Sequence, residues 1–188
     1  MIQTDALASL DTLHTRRLHL VPLGTEHTDS VMEGLQHPEF MRLTGTRGRF
    51  ARENVERFLA QVASAEDRAD WAIVQASDGT YLGEAVLNDL DDHNRSMNFR
   101  IALSSPAALG QGFGTEATRA VVHYGFEKVK LHRISLGVYA FNPRARRVYE
   151  KCGFVHEGVE RDALYWEGEW VDQHRMAILA TDPRPQEG

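Results

Sequence analysis

The chain has 188 residues, 42% of them hydrophobic and 26% charged, with a formal net charge of −6. That length suits one domain able to bury a core of its own, and the single cysteine, Cys152, excludes an intrachain disulfide. The acidic balance argues against general nucleic-acid binding, and no apolar run approaches the ~18 residues that a membrane span needs.

Residues 1–14 carry no clear pattern and are expected to be loosely held; they lack the basic and apolar regions of a signal peptide, so a cytoplasmic protein is expected. Arg16 to Leu23 alternates and reads as a first strand, ending near Pro22. Thr25 is placed to cap a short helix containing Val31, Met32 and Leu35. A second helix carries Val55, Phe58, Leu59 and Val62 at helical spacing. Trp71 to Val74 and Tyr81 to Leu87 form a hairpin about the turn Ser77-Asp78-Gly79-Thr80, and a polar turn at Asp91–Asn94 leads into a strand over Met97–Leu103. A helix pattern follows from about Thr115 to Lys130, then a strand over Ile134–Tyr139. Asn142-Pro143 has the N-cap and first-turn residues of another helix, which Gly153 ends. Two last strands, Phe154–Arg161 and Val171–Leu179, flank a turn at Glu167-Gly168, and residues 181–188 are expected to be a mobile tail.

The short central connections force antiparallel pairing, whereas the strands at 97–103 and 134–139, joined through a helix, can run parallel. The fold expected is therefore α/β (α+β), a single domain over 15–180 with a mixed sheet covered by helices.

Between the strand at 97–103 and the next helix stands Gly110-Gln111-Gly112-Phe113-Gly114-Thr115. Glycines let a ligand approach the backbone, and the unpaired N–H groups and positive dipole end of a helix favour a phosphate. The segment lacks the lysine of a nucleotide-triphosphate loop. Thr115 stands where a dinucleotide fingerprint needs its third glycine.

About 30 residues on, Asn142, Ala145, Tyr149, Lys151, Gly153 and Phe154 recur in the order Asn-x-x-Ala-x-x-x-Tyr-x-Lys-x-Gly-Phe. With Gly110-Gln111-Gly112-Phe113-Gly114, this resembles the GCN5-related N-acetyltransferase (GNAT) superfamily. Glu157-Gly158, Asp172 and the opening Thr15-Arg16-Arg17-Leu18-His19-Leu20 are similar to the branch that acetylates ribosomal-protein alanine N-termini. Leu109 departs from the Gln/Arg usual before the loop, a position of small weight if the loop binds phosphate through backbone N–H groups.

The resemblance implies a mostly antiparallel sheet of about seven strands with helices on both faces and a splayed parallel pair in the middle. It implies acyl transfer from acetyl-CoA, a co-substrate, to a primary amine of a protein N-terminus or small molecule, with no metal, nucleic acid or membrane partner. The family also admits homodimers. Gln111, Gly112, Phe113, Gly114 and Thr115 would surround the pyrophosphate, and Ile101, Ala102 and Leu103 would pair with the pantetheine arm. Arg147, with Arg144 and Arg146, would offset coenzyme phosphates. Acyl transfer from a thioester needs a neutral amine, a donor for the carbonyl oxygen and a donor for the leaving thiolate. Tyr149, protonated at neutral pH, is the candidate acid; Asn142 reads both as helix cap and as partner of the pantetheine or a water. Cys152 has no required role and reads as structural. Asn98 stands where relatives place a basic carboxylate; Glu84, Asp89, Asp162, His156 and His174 are the other base candidates, and Trp71, Trp166 and Trp170 the candidate lining of an acceptor pocket. Two alternatives share this fold: a non-catalytic acyl-CoA sensor, and a transferase of a longer acyl group such as succinyl.

Overall fold

A computed structural model describes residues 2–104 and 108–185. One eight-stranded sheet organises it, in the order β1-β2-β3-β4-β5-β6-β8-β7. The strands are β1 Leu13–His14, β2 Leu18–Pro22, β3 Ala69–Gln75, β4 Tyr81–Asp91, β5 Ser96–Leu103, β6 Arg133–Tyr139, β7 Val155–Trp166 and β8 Glu169–Leu179. The β5–β6 pair is parallel and the other neighbours are antiparallel. The mixed sheet is as expected, with one more strand than the seven anticipated.

Side-chain alternation along β3 shows why helices cover both faces. Trp71 and Ile73 enter the main core with the helix α5 (Phe113–Glu127), through its Ala117, Val121 and Tyr124. Ala72 points the other way, into a second cluster built by Val55, Leu59 and Val62 of α4 (Arg52–Ala63). Phe58, counted in the same apolar repeat, is 44% exposed and lies beneath the Arg68 guanidinium instead. The helix expected after Thr25 begins as a 3-10 turn over Thr25–His27 and continues as α2, Thr28–Gly34.

Four differences from expectation stand out. A further helix, α3 (Pro38–Thr44), has no apolar stripe to announce it; its signals are Pro38 in the first turn and Gly45 at φ 66 closing its end. Residues 2–14, expected to be loose, are packed: α1 (Asp5–Ala8) buries Leu7, the Gln3 N–H donates to the Val129 carbonyl at 3.0 Å, and the Tyr124 hydroxyl donates to the Ala6 carbonyl. In the tail, Arg184 donates to the Leu179 carbonyl at 3.0 Å and lies over the Phe126 ring, while 186–188 fall outside the described residues. The β7–β8 hairpin is longer than expected because Glu167 and Gly168, at φ 49 and 93, form a tight two-residue turn.

Gly83 fixes how closely β4 and β5 approach. A Cβ there would fall 2.0 Å from the Ala102 carbonyl oxygen. Gly83→Ala is expected to cost about 2–4 kcal/mol through backbone displacement, seen in calorimetry as a Tm lower by about 5–12 °C. An unchanged Tm would show that the ladder tolerates the methyl group.

Candidate active site

The parallel ladder stops early. β5 and β6 pair at Ser96↔Arg133, Met97↔Ile134 and Asn98↔Ser135, yet β5 runs on to Leu103 and β6 to Tyr139. Their outer edges stay paired with β4 and β8 throughout. The facing edges therefore open a wedge in the sheet. Tyr149, from α6 (Pro143–Lys151), stands at the wedge, held edge-on against Phe99 and beside Phe154. α3 covers the mouth: Gly45 at its end lies against Tyr139.

Two cavities, of about 620 and 360 Å³, open at the wedge. Leu43, Thr44, Ile101, Ala102, Asn142 and Tyr149 line both, so the two adjoin and form one slot at the wedge. The smaller side also touches Leu103, Gly114, Arg147 and Val148.

The glycine segment ends the smaller side. Gly110 and Gly112 have φ 78 and 83, a conformation that other residues adopt at a cost. Gly112 is the N-cap of α5, and no side chain caps its first-turn N–H groups, so the amides of Phe113, Gly114 and Thr115 are available to an anion. The loop is braced from the first long strand. Glu116 accepts from the Thr15 hydroxyl at 2.6 Å, the Arg17 N–H at 2.8 Å and the Arg17 guanidinium at 2.7 Å. That guanidinium also donates to the Gln111 carbonyl at 2.8 Å and covers the Phe113 ring.

On α6, the Asn142 side-chain oxygen accepts the Ala145 N–H at 3.1 Å, which leaves its amide NH₂ for the slot it lines. Tyr149 is 6% exposed, and burial raises its hydroxyl well above the usual tyrosine value. Cys152 is buried beneath α5, its thiol 3.6 Å from the Thr115 carbonyl and raised by burial to about 11. It joins the two helices and stays protonated.

Residues 17–155 match the acetyltransferase (GNAT) domain family. The chain belongs to this family. Among curated proteins, it is 36% identical to the probable N-acetyltransferase YjcK of Bacillus subtilis over 117 residues, 62% of this chain and 65% of that protein. It is 33% identical to the spermidine N(1)-acetyltransferase of Vibrio cholerae over 107 residues, 57% of this chain and 61% of that one. The chain thus spans just under two thirds of the length of these curated relatives. A crystal structure of spermidine N-acetyltransferase from Vibrio cholerae in complex with CoA and spermine superposes with a TM-score of 0.83 at 24% identity, covering 89% of this chain and 98% of that one. The GNAT fold is shared.

Within this GNAT domain, the larger cavity sorts the base candidates. Asn98 lines it and donates to Asn88 at 3.0 Å, so it is an amide held by an amide. Glu84, which sequence reasoning gave no preference, also lines it, and accepts from the Tyr81 hydroxyl at 3.0 Å. Burial is the main reason its carboxyl is raised above the usual glutamate value. Asp89 lines the same cavity, whereas Asp162 sits at an irregularity of β7. His156 and His174 meet at 3.2 Å, with His174 on the sheet face opposite to the cavity-lining Gln173 and Arg175. Trp71 is fully buried in the core and lines neither side of the slot. Trp166 and Trp170 border a separate hollow of about 590 Å³ with Arg42 and Phe141.

The brace of the loop is titratable. Desolvation alone would raise the Glu116 carboxyl; the bonds from Thr15 and Arg17 outweigh it and hold the group below its usual 4.5. A depressed carboxyl stabilises the fold above its unfolded value and loses that contribution as the pH falls through the folded one. Glu116→Gln is therefore expected to cost about 1–2 kcal/mol at pH 7, discounted for the exposed Arg17. The gap to the parent should narrow below about pH 4.5. Thermal unfolding at pH 7 and pH 3.5 tests this; an equal gap at both would remove the ionic contribution.

Proposed function

We propose that this protein transfers an acetyl group from acetyl-CoA to a primary amine by direct attack in a ternary complex. The observation that carries the reading is the slot at the wedge, whose two adjoining cavities give a donor and an acceptor separate places that meet at Tyr149. Family membership and the spermidine N-acetyltransferase likeness support it.

In this reading the amides of Phe113, Gly114 and Thr115 take the pyrophosphate, with Gln111 and Gly112 shaping the turn around it. The unpaired edge at Ile101, Ala102 and Leu103 supplies backbone partners to the pantetheine amides, and the Asn142 NH₂ adds another. Arg147 offsets coenzyme charge. A β5 backbone N–H left open by the wedge faces the thioester carbonyl and stabilises its developing oxyanion.

The amine arrives from the larger cavity and attacks as the free base. The C–N bond forms, the C–S bond breaks, and the electron pair leaves on sulfur. Glu84 accepts the proton that the amine nitrogen loses, directly or through a water; its raised carboxyl suits a base working near neutrality. The Tyr149 hydroxyl is too weak an acid to surrender its proton fully to a thiolate whose own pKa is roughly 8.5. It donates a hydrogen bond to the sulfur, and the proton that completes the thiol comes from solvent. A sensor would need the donor side alone; the ionisable lining of the acceptor side favours an enzyme.

Tyr149→Phe is expected to lower kcat by about 10–100-fold, the worth of one hydrogen bond to a charged group, with coenzyme A affinity by titration calorimetry unchanged. Unaltered kcat would remove Tyr149 from the reaction, and absence of coenzyme A binding to the parent would remove the function. Glu84 must be ionised to act, so kcat/KM should rise with pH along a limb above the ordinary carboxylate range. Glu84→Gln should abolish that limb and slow turnover by about 10²-fold or more; a variant that keeps the limb assigns the base elsewhere.

A further inference from the structure

The acceptor side contains two arginines that the reaction above leaves unused. Arg100 and Arg175 both line the larger cavity. They stand on β5 and β8, with β6 between them. Asn98 pairs with Ser135, so two residues further along the strands Arg100 is level with Gly137 across the wedge, and Gly137 pairs with Arg175. The residue between the two cations therefore has no side chain. Its place is taken by the end of Gln173, whose carboxamide atoms lie 2.5–2.8 Å from where a Gly137 Cβ would be. Two arginines that line one cavity thus flank a glycine whose place is filled by a primary amide.

Arg133, two positions from Ser135 on the same face of β6, shows what a structural arginine looks like here. It is tied to Glu157 through both guanidinium nitrogens, at 2.8 and 2.5 Å. Among the described residues, neither Arg100 nor Arg175 comes within 4.0 Å of a carboxylate. The carboxylates of the cavity, Glu84 and Asp89, lie on β4. Arg100, on the strand next to β4, favours the ionised form of Glu84 through space without pairing with it, and Arg175 stands beyond the wedge on β8.

We propose that the acceptor is a small amine bearing its own carboxylate, of the amino-acid class, with Arg100 and Arg175 holding the carboxylate over Gly137 and Glu84 facing the amine. The inference rests on the N-acyltransferase reading. A polyamine, with no anionic group, would place its cationic chain against two fixed guanidiniums and leave both unpaired. An amino acid offers its amine to Glu84 and its carboxylate to the two arginines, and planar guanidiniums suit a carboxylate.

The test is coenzyme A release from acetyl-CoA across the twenty amino acids, their carboxamides and spermidine. At least one amino acid should exceed its carboxamide and spermidine by tenfold or more in kcat/KM. Arg100→Gln and Arg175→Gln should each raise KM for that amino acid by about 10–100-fold while leaving the rate with its carboxamide within a few-fold. Carboxamides or spermidine working as well as amino acids would overturn the proposal and leave the transferase standing. A second readout needs no turnover: saturation-transfer NMR of a pool of N-acetyl amino acids with the coenzyme A-saturated protein. Binding that the two variants abolish supports the proposal; coenzyme A binding with no engagement of the pool and no amino-acid turnover overturns it. Failure of coenzyme A itself to bind would instead defeat the function beneath it. Circular dichroism and coenzyme A affinity confirm that each variant folds.

Discussion

Everything in the site follows from a hydrogen-bond ladder that stops. Three residue pairs join β5 to β6, and then both strands continue without each other. An unpaired backbone group costs free energy if it is buried away from a partner, so a sheet does not open at its centre without something on both sides to hold it open. Here the outer ladders to β4 and β8 fix each strand, and the aromatic group of Phe99, Tyr149 and Phe154 fills the base of the opening. The result is an extended edge in the middle of a domain, where a ligand with amides of its own can complete what the protein leaves unfinished.

In the function proposed above, the donor and acceptor sides of the opening are built by different physics. The donor side relies on backbone: an uncapped helix start, two glycines in left-handed conformation, and a bare strand edge. Its recognition is insensitive to most side-chain identities, which is why the departure at Leu109 matters little. The acceptor side relies on side chains that project alternately from four strands, with its carboxylates on β4 and its arginines on β5 and β8. Its recognition can be redesigned one residue at a time without touching the opening itself. Tyr149 belongs to both sides, and burial, which raises its hydroxyl above the usual tyrosine value, favours the protonated form that donates.

This division also explains what the sequence disclosed. The donor side depends on residues close together in the chain, Gly110 to Thr115 and Asn142 to Phe154, and local spacing conveys it. So do the hairpins and the long helices, whose turn residues and apolar periods are local. The acceptor side depends on register between strands far apart. Glu84 looked like a surface residue until the hairpin placed it over the opening beside Tyr81, and no spacing relates Arg100 to Arg175. The helix α3 has seven residues and no buried one, so periodicity had nothing to report. Residues 2–14 looked patternless because their partners, Tyr124 and Val129, lie more than a hundred positions on.

The Arg17–Glu116 brace joins positions 99 apart in the chain. A contact of such long range exists only when β2 is in place beside the rest of the sheet, so the shape of the glycine turn depends on the assembled domain. Partly assembled chains would expose the same glycines without the geometry, and a nucleotide-like ligand would find no purchase on them. Occupancy of the turn is then thermodynamically linked to the whole domain rather than to one helix end. A co-substrate bound there would add its binding free energy to the stability of the whole domain.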